Sequence, residues 1–288
     1  MKKLLLFLFL FSTVLPGQIT VDTSQGAINI YDSEGDGPAI MLIHGNSASG
    51  RFFKKQFKAF GEKYRLLAPD LPGHGKSSAA QDVATYSFPG YAKVLAEVVN
   101  KLELKKVTLV GWSLGGHIAL EMLSRLKNIN GVVVTGTPPI ELSSEGIMKG
   151  FKPFEGLGLL GHGEQFTPEE ASKFMGLGGF DIASDDTAFM IKDAMRAQGA
   201  ARKHMFASIG NGVGGDETKI VREMSIPLAI IGGQNDPGIN YEYIAELRYG
   251  NLWRNQVHLV PNAGHAVYWE RADEFNGLMA EFLVDIGL

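Results

Sequence analysis

The chain has 288 residues, a length normal for one α/β domain with an insertion, and its 45% apolar and 20% charged residues are typical of an ordinary globular protein. A formal net charge of −4 excludes the basic surface that nucleic-acid binding requires, so no nucleic-acid partner is expected. The absence of cysteine excludes disulfides, a thiol nucleophile, cysteine-ligated metals and a bacterial lipoprotein anchor.

The first 17 residues have the layout of a signal peptide. Lys2 and Lys3 precede an apolar run over residues 4–14, and Pro16 and Gly17 follow it. Because the run is too short to cross a bilayer comfortably, we expect cleavage after Gly17 and export to the periplasm or the medium. No membrane contact is expected after that cleavage. An uncleaved membrane anchor is the alternative.

Short apolar runs alternate with stretches of helical spacing along the rest of the chain. Strands are predicted at residues 39–43, 107–110, 132–135, 228–231 and 257–260, and helices at residues 91–102, 113–126 and 272–284. Strands that alternate with helices predict βαβ units. The expected fold class is therefore α/β, with a mainly parallel central sheet flanked by helices.

The alternation stops between residues 138 and 222. This segment is rich in glycine and has no convincing strand, whereas Thr167, Pro168 and Glu170 have the spacing of a helix start. We therefore expect a helical cap inserted between two parts of the sheet domain, residues 18–137 and 223–288. A second small domain with its own role is the alternative.

The sequence Gly111-Trp112-Ser113-Leu114-Gly115 lies between a predicted strand and a predicted helix. Gly-x-Ser-x-Gly alone is a weak pattern, but in this position it predicts a nucleophile elbow, a tight turn that exposes the serine. The N-terminus of the following helix favours negative charge beside it. Alternatively, Ser113 only caps the helix.

A nucleophilic serine needs a base, and in this class of fold the partners follow in the order serine, acid, histidine. Of the seven histidines, only His265 lies in a C-terminal loop that follows a predicted strand. Asp236 is the only carboxylate in the loop after the strand at 228–231, where it would orient the imidazole. An ordinary turn aspartate before Pro237 is the competing interpretation.

An oxyanion intermediate needs two backbone N–H donors. One is expected from Leu114, the residue after the nucleophile, and the other from Asn46, in the loop after the strand at 39–43. Asn46 is also a common turn residue, which is the alternative. The candidate substrate contacts are His44, Asn46, Trp112 and Phe174.

Several motifs together resemble the α/β-hydrolase superfamily. LIHGNSASG, APDLPGHGKS and GWSLGGHIALEM are common in it, whereas TGTPP at 135–139 and YGNLW at 249–253 make the chain most similar to the metal-independent N-acyl-homoserine lactone lactonases. The resemblance implies an α/β-hydrolase fold and opening of the lactone ring by Ser113 without a metal or other cofactor. Members of the subgroup carry Glu where this chain has Asp236, and the cap matches only loosely.

Other classes of hydrolase differ from this chain in the nucleophile or the metal site that they require. Haloalkane dehalogenases and epoxide hydrolases use an aspartate where this chain has Ser113, and metallo-lactonases need a His-x-His-x-Asp-His cluster, which the sequence lacks. A broad carboxylesterase remains open, as does a non-catalytic ligand receptor on a hydrolase fold. The expected partner is a small ester or lactone.

Overall fold

The computed structural model of the chain describes residues 16–288. The predicted signal peptide therefore lies outside the described residues, apart from Pro16 and Gly17, and Gly17 begins the first strand. Within the described range, every helix is too short or too polar to cross a membrane.

Eight strands form one sheet. They are β1 (Gly17–Thr23), β2 (Gly26–Asp32), β3 (Ala39–Ile43), β4 (Arg65–Pro69), β5 (Val107–Trp112), β6 (Ile129–Thr135), β7 (Leu228–Gly233) and β8 (His258–Val260). Their order across the sheet is β1-β2-β4-β3-β5-β6-β7-β8. The pairs β1–β2 and β2–β4 are antiparallel and all others are parallel, which confirms the predicted mainly parallel sheet.

Eleven α-helices lie in the described part of the chain. They are α1 (Lys54–Phe60), α2 (Phe88–Lys101), α3 (Leu114–Met122), α4 (Ser144–Gly150), α5 (Pro168–Leu177), α6 (Ala188–Arg196), α7 (Gly199–Gly210), α8 (Glu217–Glu223), α9 (Tyr241–Glu246), α10 (Val267–Glu270) and α11 (Ala272–Asp285). Helices α2 and α3 pack on one face of the sheet, and α1 and α11 pack on the other.

The central strands are mostly apolar because both faces of the sheet are covered. All five residues of β3 are buried. Ile40 and Leu42 belong to one hydrophobic cluster, and Met41 and Ile43 belong to the other. This alternation follows from the two-residue period of a strand, and it divides the core into two layers on opposite faces of the sheet.

Between β6 and β7 the chain forms the helical insertion, with α4 to α8 and no strand of the sheet. Helix α5 begins with the expected capping box, in which Thr167 Oγ1 accepts the Glu170 N–H at 3.2 Å and Glu170 Oε2 accepts the Thr167 N–H at 2.8 Å. On α6, Asp193 binds Ser49 Oγ at 2.5 Å and Arg51 Nη2 at 2.6 Å. These bonds attach the cap to the loop after β3.

The structure differs from the sequence expectations most clearly at the edge of the sheet and at the end of helix α3. The hairpin of β1 and β2 was not predicted, because β1 lies at the sheet edge, is buried only at Val21 and so lacks an apolar run. Helix α3 ends at Met122 rather than at residue 126. The N–H groups of Arg125 and Leu126 both donate to the Met122 carbonyl, so the chain leaves the helix through tight turns.

Candidate active site

Ser113 occupies a strained turn between β5 and α3. Its φ of 54° and ψ of −119° are unfavourable for a residue with a side chain and are typical of functional sites. A Cβ atom on Gly111 would lie 2.3 Å from the Gly115 carbonyl oxygen, and one on Gly115 would lie 2.0 Å from the Ile43 carbonyl oxygen. Only glycine permits this close approach of helix and strand. The Ser113 side chain makes no capping hydrogen bond, which argues against a mere helix cap.

Asp236 and His265 form a hydrogen-bonded pair in the loops that follow β7 and β8. His265 Nδ1 lies 2.8 Å from Asp236 Oδ2, and the side chains are 20% and 0% exposed, respectively. The other carboxylate oxygen, Oδ1, accepts the N–H groups of Gly238 and Ile239 at 2.9 and 3.2 Å. Both oxygens of the buried carboxylate therefore have partners, and the geometry fixes the orientation of the imidazole ring.

The two groups shift each other's pKa toward the charged forms. Burial opposes the charge of Asp236, but its attraction to His265 and the N–H donors lower the pKa of the carboxyl below its usual value. Burial likewise disfavours the imidazolium, yet the Asp236 carboxylate, its hydrogen bond and the nearby Glu270 raise the pKa of His265 above 6.5. This pair suits a base that must hold a proton transiently.

Ser113 and His265 are brought to the same edge of the sheet. The residue before the serine, Trp112, donates from Nε1 to the His265 carbonyl oxygen at 3.0 Å, and the two rings lie 5.7 Å apart. The Ser113 N–H donates to the Thr135 carbonyl at 2.9 Å. A Cβ atom on the next residue, Gly136, would lie 2.9 Å from His265 Cε1. The carboxyl ends of β5, β6, β7 and β8 thus bring the predicted catalytic residues into one region.

The predicted oxyanion donors border the same region. Leu114 is the first residue of α3, so its N–H has no partner within the helix. Across residues 16–288, neither this N–H nor that of Asn46 donates to another protein group. The Asn46 side chain donates from Nδ2 to the Leu160 carbonyl of the cap at 3.0 Å. Its backbone N–H is therefore the donor that is left for a substrate.

His44, predicted as a substrate contact, has a supporting position in the loop after β3. It is fully buried. Its Nδ1 lies 2.7 Å from the Gly45 carbonyl, and its Nε2 accepts the Leu71 N–H at 3.0 Å. Burial, followed by the neighbouring His74, lowers the pKa of His44 to about 3, so the ring is neutral. Both ring nitrogens thus bind the backbone of neighbouring loops.

Trp112 and Phe174 lie in an aromatic layer that joins the core to the cap. The Trp112 ring lies 6.2 Å from Phe52 and 5.7 Å from Phe180 of the cap. Phe174, on α5, is half-buried and lies 5.4 Å from Phe166. Trp112 contacts His265 directly, whereas the ring beside Phe174 is that of Phe166, which also lies in the cap.

Glu270 supports the histidine loop and was missed in the sequence. Its Oε2 accepts the Gly264 N–H at 2.9 Å, and its Oε1 accepts the Ala266 N–H at 3.0 Å. Burial raises the pKa of its carboxyl, although both N–H groups oppose this shift. The residues before and after His265 are thus held by one carboxylate. The sequence position of Glu270, five residues beyond His265 at the end of a short helix, gave no indication of this role. The contact of its carboxylate with the Gly264 and Ala266 N–H groups depends on how the loop folds back.

Other candidate sites are less suited to this chemistry. A groove of about 370 Å³ between α4, α8 and α9 is lined by residues of both charges, among them Glu145, Lys149 and Arg222, and contains none of the predicted site residues. Over residues 16–288, no group of three His, Asp or Glu side chains is placed to hold a metal ion.

Comparison with known proteins gives consistent matches. The family model described as "Alpha/beta hydrolase family" matches residues 40–278. A crystal structure of a variant of the N-acyl homoserine lactonase AidH, complexed with N-hexanoyl homoserine lactone, is similar with a TM-score of 0.89 and 36% identity. That similarity covers 94% of this chain and 98% of the lactonase.

Two sequence relatives extend the comparison. A 2-hydroxy-6-oxononadienedioate/2-hydroxy-6-oxononatrienedioate hydrolase of Klebsiella pneumoniae is 28% identical, over 92% of this chain and 94% of the relative. An uncharacterized protein of Mycobacterium bovis is 33% identical over 108 residues, which are 38% of this chain and 31% of that protein. The match to the mycobacterial protein thus spans about a third of its length.

Proposed function

Because the chain belongs to the alpha/beta hydrolase family and is a hydrolase, we propose that it opens ester bonds with Ser113, His265 and Asp236, and that its substrates are N-acyl-homoserine lactones. The observation that carries the triad is the 2.8 Å contact of Asp236 with His265 beside the serine turn. The choice of substrate is supported by the 36% identity to the lactonase over nearly the whole chain.

In the first half of the reaction, Ser113 Oγ attacks the lactone carbonyl carbon while His265 Nε2 takes its proton. Asp236 favours this step because it accepts the hydrogen at Nδ1, which leaves Nε2 free as the base, and because its charge stabilises the imidazolium. The carbonyl oxygen becomes an oxyanion that accepts the backbone N–H groups of Asn46 and Leu114.

The tetrahedral intermediate then collapses with cleavage of the ring C–O bond. His265 returns its proton to the departing alkoxide, and the opened substrate remains bound to Ser113 as an ester. Water, deprotonated by the same imidazole, attacks this ester and releases N-acyl-homoserine. The net change is the addition of one water molecule, and the amide bond of the substrate stays intact.

Cleavage of the amide is less favourable for this machinery. An amide carbonyl is stabilised by resonance, and its nitrogen is a far more basic leaving group than an alkoxide. The nitrogen must therefore be protonated before it departs. Beyond His265, no predicted site residue is placed for that task, so ring opening is the expected reaction.

A substrate panel tests this proposal. The purified protein is incubated with N-acyl-homoserine lactones of graded acyl length, p-nitrophenyl esters and a 2-hydroxy-6-oxo-dienoate, with and without EDTA, and the products are identified by mass spectrometry. We expect N-acyl-homoserine in both conditions. Release of a free fatty acid would instead indicate an acylase, and turnover of p-nitrophenyl esters alone a carboxylesterase.

The third substrate class tests a second candidate function. The Klebsiella relative is named for hydrolysis of a 2-hydroxy-6-oxo-dienedioate, so hydrolysis of a carbon–carbon bond by the same triad is the alternative that a specific similarity favours. Preferred cleavage of the dienoate over the lactones would select it. Tight ligand binding without turnover of any class would revive the receptor interpretation, which membership of a hydrolase family disfavours.

A further inference from the structure

Arg202, on α7 of the cap, is a buried cation without a carboxylate partner. Its side chain has no exposed surface, and it forms no salt bridge to any residue in the described range 16–288. Its guanidinium donates to the carbonyls of His162 at 3.0 Å, Ala197 at 3.1 Å and Glu164, and its Cζ lies 3.7 Å from the centre of the Phe166 ring. Burial lowers the pKa of Arg202 to about 10, so the group is charged at neutral pH.

A buried charge that is not directly paired with a counter-ion is costly to keep in the interior of a protein. The groups in direct contact with the guanidinium are neutral carbonyl and hydroxyl dipoles and one aromatic ring, and the carboxylate of Glu170 acts on the charge without forming a salt bridge to it. The carbonyl partners place the side chain within the cap segment formed by residues 160–166. That segment lies directly on the loop that follows β3, as the contact of Asn46 with Leu160 demonstrates.

A series of hydrogen bonds connects this cation to the loop with the predicted oxyanion donor. Arg202 Nη1 donates to Ser47 Oγ at 3.3 Å, Ser47 Oγ donates to Asn46 Oδ1 at 3.1 Å, and Asn46 Nδ2 donates to the Leu160 carbonyl at 3.0 Å. Ser47 is fully buried and has a φ of 56°. This left-handed conformation is strained for serine, so surrounding contacts must hold it.

We propose that Arg202 is a positioning residue that holds the Asn46 N–H in place for the oxyanion and supplies a positive potential there. This inference rests on the proposed function. A backbone donor lowers the barrier only if it is fixed before negative charge develops, and a nearby cation acts strongly in a site that excludes water. The contribution therefore belongs to the transition state and not to binding of the substrate.

That difference separates the proposal from a purely structural role. Loss of Arg202 should lower kcat about 10-fold to 100-fold and leave KM within about threefold, because the oxyanion exists only after attack. The affinity for a trifluoromethyl ketone, which forms an oxyanion on a nucleophilic serine, should fall by the same factor. The affinity for the product N-hexanoyl-homoserine should not change. A collapsed cap would weaken all these quantities together.

The experiment compares Arg202→Met, Arg202→Lys and Ser47→Ala in the full chain, with the exposed neighbour Lys203→Met as the matched control. Arg202→Met removes the charge and the donors, whereas Arg202→Lys keeps the charge with fewer donors and should recover part of kcat. Ser47→Ala breaks the connection to Asn46 but keeps the cation, so a loss of about 3-fold to 10-fold is expected. Cooperative thermal unfolding verifies that each variant is folded.

A folded Arg202→Met protein with the wild-type kcat, or one in which only KM rises, would overturn the inference. If neither Arg202 variant folds, Ser47→Ala decides, and an unchanged kcat and ketone affinity in that variant would overturn it. A wild-type protein without any ester turnover would refute the proposed function and the oxyanion role with it. Active wild type with unaffected variants refutes this inference alone.

Discussion

Replacement of Asp236 by asparagine perturbs the site with almost no change of shape. Asp236 Oδ1 accepts two backbone N–H groups, from Gly238 and Ile239, while Oδ2 accepts the hydrogen on His265 Nδ1. In Asp236→Asn the two backbone donors hold the amide oxygen at the Oδ1 position, so the NH₂ group faces the imidazole. The ring must then accept at Nδ1 and carry its hydrogen on Nε2, which removes the base.

The expected loss of kcat is large because the substitution reverses the direction of the buried hydrogen bond to His265 and does not merely weaken it. A wrong imidazole tautomer in a serine triad costs about 10⁴-fold in kcat, which corresponds to about 5 kcal/mol of activation free energy. The substitution also removes the charge that raises the pKa of His265. In the wild type, activity should fall as pH drops through a midpoint above 6.5, because the protonated ring is not a base. In Asp236→Asn the residual activity should persist to lower pH.

The assay is the pH profile of kcat/KM for lactone opening, followed by acid release, for wild type, Asp236→Asn and two controls. Asp236→Glu keeps a carboxylate and should retain far more activity than the amide. Asp273→Asn makes the same chemical change at an exposed position of α11 and should behave as wild type. Asp236→Asn with more than about a tenth of wild-type kcat and an unmoved acidic limb would refute this reasoning.

Three further predictions concern the histidine loop, the serine turn and export. Glu270→Gln keeps only one of the two oxygen acceptors for the loop N–H groups, so kcat should fall about 10-fold. NMR titration of this variant should also show a lower pKa of His265 than in the wild type. The exposed substitution Glu274→Gln is the control, and identical titration curves for wild type and Glu270→Gln would count against the role of Glu270. Gly115→Ala places a methyl group against the Ile43 carbonyl of β3, so the free energy of unfolding measured with denaturant should fall by about 3 kcal/mol. A decrease below about 0.5 kcal/mol would contradict that packing. For export, we propose a mature N-terminus near Gln18, measured by mass spectrometry of protein from its native host; full-length chain in the cytoplasm would contradict it.

The parts of the fold that were predictable are those whose residues are determined by local rules. The strands β3, β5 and β7 are fully buried and mostly apolar because helices cover both faces of the sheet. The glycines around Ser113 are required by the contact of α3 with β3, and that requirement is readable as a motif. The chain order of serine, acid and histidine then restricts the partners to loops at strand ends.

The parts that were not predictable depend on contacts between distant segments. His44 looked like a substrate contact, yet the fold turns both of its ring nitrogens toward backbone groups. Glu270 and Arg202 carry no local signal in the sequence, because nothing local distinguishes a carboxylate that binds a loop or a guanidinium that is covered by a cap. Such roles follow from burial, which sequence spacing alone does not specify.

The central claim is that Ser113 opens the lactone ring, and parallel incubation of wild type and Ser113→Ala with N-hexanoyl homoserine lactone tests it most directly. The measured quantity is the rate at which N-hexanoyl-homoserine, heavier than the substrate by one water, is formed in liquid chromatography with mass detection. We expect this product from the wild type, and we expect a folded Ser113→Ala protein to form it at a rate lower by a factor of at least about 10⁴. Near-equal rates in the two proteins, or hexanoic acid as the wild-type product, would contradict the account.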